Sequence, residues 1–172
     1  FQNKAIAKVT QELGVKAVVI THIGNAWGKG LDEFGKVEFE KVNIEMGSSV
    51  EYPDPPPADF TPYVATLENM VLQLFGPPHA LEHDEVAVVA FSYEEVATIL
   101  AQVKDDSVLL SVKWIGCDGT ARSSKVIEDV ADKAGKVKLY STVSESEGGG
   151  DSYDALIQKY QERTGAEPKS YG

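Results

Sequence analysis

Two short stretches constrain this chain more than any other, residues 15–21 (VKAVVIT) and 85–91 (EVAVVAF). Both are nearly unbroken apolar runs rich in β-branched residues, the pattern of a strand covered on both faces. A strand buried on both sides needs helices on both sides, and the intervening sequence supplies them. Ile6, Val9 and Leu13 recur at helical spacing before Gly14. Residues 29–43 read as a helix with Leu31, Phe34 and Val37 facing inward, and residues 48–52 as a shorter strand. A proline-rich connector at 53–57 leads to a helix over 62–75 whose Val64, Leu67, Val71 and Leu74 share one face.

Residues 76–84 read as a linker before the second strong strand. Ser92-Tyr93-Glu94-Glu95 has capping-box spacing and predicts a helix carrying Val96, Ile99, Leu100 and Val103. A strand over 108–115, a loop over 116–122, a helix over 123–134 and a strand over 137–142 follow. A polar, glycine-rich stretch at 144–150 then precedes a last helix from Asp151, its expected cap, to Arg163. Strands alternating with helices of this length predict an α/β fold, a doubly wound, mainly parallel (Rossmann-like) sheet. With 172 residues the chain holds one such unit over 1–172.

Charge and composition narrow the function. Sixteen basic residues against 27 acidic ones give a net charge of −11, which repels phosphate backbones and anionic lipids, so nucleic acid is not an expected partner. The longest apolar run, 86–91, is far short of the roughly 20 residues a bilayer span needs, so no membrane insertion is expected of these residues. The lone Cys117 excludes an internal disulfide framework. The chain begins at Phe1 without a leader and ends just after a helical pattern, so it reads as a fragment of a larger protein.

In a doubly wound sheet, ligands lie beyond the carboxyl ends of the strands. Attention therefore falls on three loops: 22–27, 91–93 and 116–122. The glycines of Gly24-Asn-Ala-Trp-Gly28-Lys29-Gly30 occupy the position of a phosphate loop, but three residues separate Gly24 from Gly28 and Gly30 follows the lysine. That spacing meets neither the phosphate-loop nor the dinucleotide requirement, so no nucleotide cofactor is expected. His79-Ala-Leu-Glu82-His83 matches the H-x-x-E-H pattern of a class of zinc peptidases, yet Pro77-Pro78 and the following strand leave barely one helical turn. It reads as linker, and no metal is expected. Cys117 reads as a small residue ending a buried strand, with no histidine assigned near it.

Trp27 reads two ways, as a wall for a ligand or as a core anchor for its helix. Asp118 reads as part of an Asp-Gly turn or as a carboxylate offered to an ammonium group. Ser92 is expected to cap a helix and, without conflict, to face a ligand, with Tyr93 adjacent.

Four stretches in order carry a family resemblance. The loop 24–30 after a strand, with the Ala58-Asp59-Phe60 turn beyond it, comes first; 88–102 (VVAFSYEEVATILAQ), 113–120 (KWIGCDGT) and the terminal 153–172 follow. The set resembles the second lobe of type I periplasmic binding proteins, closest to the branched-chain amino-acid-binding group of ABC-transporter receptors. The resemblance implies a two-lobed clamp of which this chain is one lobe. It places ligand-binding positions at Asn25, Ala26, Trp27, Ser92, Tyr93, Asp118 and Gly119, with Trp27 packing on the ligand and Asp118 pairing with its ammonium. It implies a non-enzymatic, extracytoplasmic binder of a small amino-acid-like solute, with a membrane ABC permease as partner and a lipid anchor, if there is one, outside these residues. Two departures leave the ligand open: Ser92 where the family carries a bulkier aromatic, and the insertion at 76–84. The competing expectations are the sensor domain of a signalling receptor and a small nucleotide- or flavin-dependent α/β enzyme.

Overall fold

The structure is a computed structural model that describes residues 2–143 and 151–165, with the side chains of all of these but 151–156. The glycine-rich stretch 144–150, the side chain of Asp151 and the closing residues 166–172 lie outside that description. Five strands are named in chain order: β1 (Ala17–Ile23), β2 (Glu45–Tyr52), β3 (Val86–Phe91), β4 (Lys113–Gly116) and β5 (Tyr140–Ser141). Between and around them run α1 (Gln2–Glu12), α2 (Ala26–Lys41), α3 (Thr61–Phe75), α4 (Val96–Gln102), α5 (Ser124–Lys136) and α6 (Asp151–Thr164). The strands form one sheet in the order β2-β1-β3-β4-β5, and every neighbouring pair is parallel. The chain thus winds outward from the middle in both directions. Its strand order reverses between β1 and β3, the topological switch point.

The two strong strands behave as their composition requires. All seven residues of β1 and all six of β3 are buried. Alternation divides them between two cores. Ala17, Val19, Ile23, Val86, Val88 and Ala90 face the side covered by α3, α4 and α5. Val18, Ile20, Ala87, Val89 and Phe91 face α1 and α2. Val64, Leu67, Val71 and Leu74 are the buried residues of α3, the set expected from its spacing.

Helix α2 departs from its expected orientation. Phe34 is 67% exposed and Val37 49%, while Gly28, Gly35 and Phe39 are buried. The glycines explain the rotation. A Cβ on Gly28 would stand 2.1 Å from the Ile23 carbonyl oxygen, so the helix rests directly on the strand end, and a pattern drawn from large apolar residues misses a face built of glycine.

Three further boundaries shift. Residues 108–110 form a single 3₁₀ turn, where Trp114 Nε1 donates to the Leu109 carbonyl at 2.9 Å, and β4 begins only at Lys113. At the sheet edge β5 contracts to two residues and ladders only Ile115 and Gly116. The helix expected from Ser92 starts at Val96, and Ser92 Oγ donates to the Tyr93 carbonyl at 3.2 Å instead of capping it. Ser123 does cap α5, accepting from Val126 N–H, and that helix is interrupted at Val130.

The H-x-x-E-H stretch has no helical face. Residues 83–85 form a 3₁₀ turn capped by Glu82. His79 Nδ1 lies 3.2 Å from a carboxylate oxygen of Glu45, whereas His83 bonds Ser111 and stacks on Phe75. The two imidazoles thus serve different elements.

Candidate functional site

The three expected loops meet at the carboxyl edge of the central strands. After β1, Asn25 caps α2: its Oδ1 accepts from Gly28 N–H at 3.0 Å. Its Nδ2 donates to Asp54 Oδ2 at 3.1 Å, tying the proline-rich connector to the same edge. Ala26 is exposed beside it. Trp27 is half-buried and packs against both cores, so it plugs the sheet edge where the two meet.

After β3, the Tyr93 ring lies over Trp27, with centroids 4.6 Å apart and planes 20° from parallel. The two residues flank the switch point, one from each of its strands. Tyr93 is 39% exposed. Partial burial raises its pKa, opposed by a hydrogen bond with the Asn25 side chain. Ser92 is fully buried. Its carbonyl oxygen accepts from Cys117 Sγ at 3.3 Å, and its hydroxyl lies beside that of Tyr52. In this arrangement Ser92 belongs to the floor of the edge.

After β4 comes the acidic corner. Asp118 is partly buried, and its Oδ1 accepts from Gly119 N–H at 2.9 Å and from Gln2 Nε2 of α1. Both bonds go to one oxygen, which leaves Oδ2 without a protein donor among the described residues. Gly119 sits so tightly that a Cβ would stand 2.5 Å from the Ser92 carbonyl oxygen and 2.8 Å from Tyr93 Cδ1. Its bare backbone is what allows the Tyr93 ring and the Asp118 turn to share this corner. Cys117 is fully buried, and burial pushes its thiol up to about 11, so it stays protonated and poorly nucleophilic near neutral pH.

Two further residues of this edge are not among the expected binding positions. Tyr52, at the end of β2, is fully buried, and its hydroxyl donates to Glu95 Oε1 at 2.8 Å. The same oxygen accepts from Tyr93 N–H at 3.1 Å. Burial first, and then the Glu95 charge, raise the Tyr52 pKa. Glu95 was legible only as the fourth residue of an apparent capping box, and Tyr52 only as the end of a strand. Beside the corner, a groove of about 580 Å³ continues along α2 past Gln2, Trp27, Leu31 and Phe34.

The arrangement is a shallow aromatic wall with a carboxylate at one end, open to solvent and framed by backbone. It is suited to holding an apolar group and a cation side by side.

Comparison with known proteins places this edge in a known architecture. No family model matches the chain. Uncharacterized protein MJ1266 of Methanocaldococcus jannaschii is 37% identical over 171 residues, which is 99% of this chain and 38% of that protein. Among solved structures, a leucine-binding protein, LivK, of Thermotoga maritima superposes with a TM-score of 0.63 at 21% identity, covering 98% of this chain and 44% of that one. The branched-chain amino-acid transporter substrate-binding protein LivJ of Streptococcus pneumoniae, solved with isoleucine, gives 0.58 at 20% identity over 98% of this chain and 44% of that one. A solute-binding protein of an ABC transporter from Rhodopseudomonas palustris, solved with 3,4-dihydroxybenzoic acid, gives 0.59 at 16% identity over 97% of this chain and 42% of that one.

The chain therefore has the fold of a lobe of the type I periplasmic binding proteins, as its sequence motifs imply. The three solved proteins are described as binding proteins, none as an enzyme. The chain spans less than half the length of each of these four proteins. Among the described residues no helix is long and apolar enough to cross a membrane.

Proposed function

We propose that this chain is one lobe of an extracytoplasmic solute-binding protein of an ABC transporter, and that it binds without catalysing a reaction. The solute is a small amino acid or a close relative, taken into a crevice whose other wall belongs to a second lobe. The observation that carries the reading is the Trp27–Tyr93 pair at the switch point with the Asp118 carboxylate on the same edge. Tyr93 offers its open side to the solute's apolar group, with Trp27 behind it, and Asp118 Oδ2 accepts from the ammonium group. Asn25, Ala26, Gly119 and the buried Ser92 shape the edge around them. A membrane permease is the partner that receives the solute.

Binding the native state alone raises its stability by mass action, roughly 2.7 kcal/mol at a hundredfold excess over Kd. Melting of the full-length protein, followed by calorimetry, against L-leucine, L-isoleucine, L-tyrosine, 4-hydroxybenzoate, ATP and FMN tests the reading. An amino acid is expected to shift melting, and Asp118→Asn to abolish that shift. A response to 4-hydroxybenzoate alone would remove the ammonium contact, since that ligand has no ammonium group to donate to Asp118. A response to ATP or FMN alone would move the chain to the enzyme class.

A further inference from the structure

The geometry points to Tyr52 and Glu95 as positioning residues, a latch between a buried phenol and a half-buried carboxylate that holds Tyr93 against Trp27 and so sets the wall the solute meets. This rests on the binding reading above and adds to it a pair of residues outside the expected binding positions. Glu95 stands at the N-cap position of α4, yet its carboxylate makes no bond to that helix. Instead a single oxygen, Oε1, takes both the Tyr52 hydroxyl and the Tyr93 backbone N–H. A carboxylate at a helix start is ordinarily directed at the helix's own free amides. Here it is directed at the turn before the helix.

Tyr52 is itself fully buried. Its ring is packed edge-on to Phe60 at 5.1 Å and Tyr63 at 6.3 Å. Phe60 is held in turn by its N–H donating to Gln102 Oε1 at 2.6 Å, while Gln102 Nε2 donates to the Ala58 carbonyl at 2.8 Å. The latch therefore ties the Tyr93 turn to the end of β2 and to the connector, on the far side of β1. Both sides of the switch point are braced against one oxygen atom.

Because the pair acts through an acceptor atom rather than through net charge, the substitutions form a graded series. Glu95→Gln keeps the accepting oxygen, Tyr52→Phe removes one of the two donors, and Glu95→Ala removes the acceptor altogether. Two readouts on the full-length protein separate positioning from bulk stability: acrylamide quenching of Trp27, taken as the difference between each variant and its Trp27→Phe counterpart so that every other tryptophan cancels, and affinity for L-isoleucine.

Glu95→Ala is expected to raise quenching about twofold and weaken binding about tenfold, the scale of losing a bond to a charged group. Glu95→Gln should stay within about twofold of the parent on both measures, and Tyr52→Phe should fall between. The latch is overturned if Glu95→Ala lowers only the melting temperature while quenching and affinity hold, or if Glu95→Gln is as impaired as Glu95→Ala. Should Glu95→Ala fail to fold, quenching in Tyr52→Phe decides: a rise supports the latch and a parental value removes it. If the parent binds no amino acid, the functional reading fails on its own, and the quenching series in the free protein still settles the latch.

Discussion

Two pairs of stacked rings lie at opposite ends of the sheet. Trp27 and Tyr93 meet at the carboxyl ends of β1 and β3, at 4.6 Å and 20°. Phe75 and His83 meet at the amino end of β3, at 4.4 Å and 9°. As ring pairs they are alike, and the second is the flatter. Their surroundings differ. His83 also bonds Ser111, and the linker that bears it is closed by the Glu82 cap and the Lys16–Glu85 ion pair. The first pair stands where the sheet's strand order reverses, with Tyr93 partly exposed and, among the described residues, no donor to one carboxylate oxygen of Asp118. Position in the topology, more than the chemistry of the rings, separates an edge that can hold a ligand from a linker that holds itself together.

The sharpest way to break this contrast is at Gly119. A methyl group there would meet the Ser92 carbonyl oxygen and the Tyr93 ring, and the carbonyl is backbone that cannot rotate away. Gly119→Ala is expected to cost about 2 kcal/mol in denaturant unfolding, the scale of overpacking, and to remove solute binding. Next in size is a paired comparison of the two stacks. Tyr93→Ala should weaken solute binding by about 1 kcal/mol or more, while His83→Ala leaves affinity unchanged and lowers only the melting temperature. Equal losses of affinity in both variants would show that the amino-end stack also serves the site.

A smaller effect follows from Cys117, beneath the carboxyl edge. Its folded-state pKa of about 11 lies above the ordinary 9.0. The neutral thiol is thus favoured by folding. That contribution is complete below pH 9, and is lost as pH rises through about 11. Thiol titration with a chromogenic disulfide at pH 8 should be slow in the native protein and rapid in denaturant; Cys117→Ala should flatten the alkaline fall in stability. Smallest of all is Phe34→Ser, expected to change stability by less than about 0.5 kcal/mol, since this ring is 67% exposed. A loss of about 3 kcal/mol, the cost of a core phenylalanine, would return Phe34 to the interior.

The parts of the fold legible in the sequence are those set by strong local periodicity. The run at 85–91 contains β3 and the run at 15–21 covers all of β1 but its last two residues, both strands fully buried, and the apolar face of α3 follows its spacing residue for residue. The short elements near the sheet's other edge were less legible. Residues 108–110 turn so that Trp114 can donate to Leu109, and β5 has only β4 as a neighbour. Neither condition exists in a local window of sequence.

The candidate edge divides the same way. Local pattern alone establishes which loops lie together, because parallel strands joined by helical crossovers all run the same way and so place every βα loop at the carboxyl ends. It also places Trp27, Tyr93 and Asp118 just beyond those strand ends, although Trp27, expected on the loop 22–27, stands in the first turn of α2. Only the tertiary structure decided that Tyr93 covers Trp27, that Ser92 is buried floor, and that Glu95 bonds a turn in place of its own helix. The physical reason is range: periodicity and loop placement are written in neighbours along the chain, whereas the Tyr52–Glu95 bond joins residues 43 apart. It exists only once strand order has brought β2 and β3 to either side of β1.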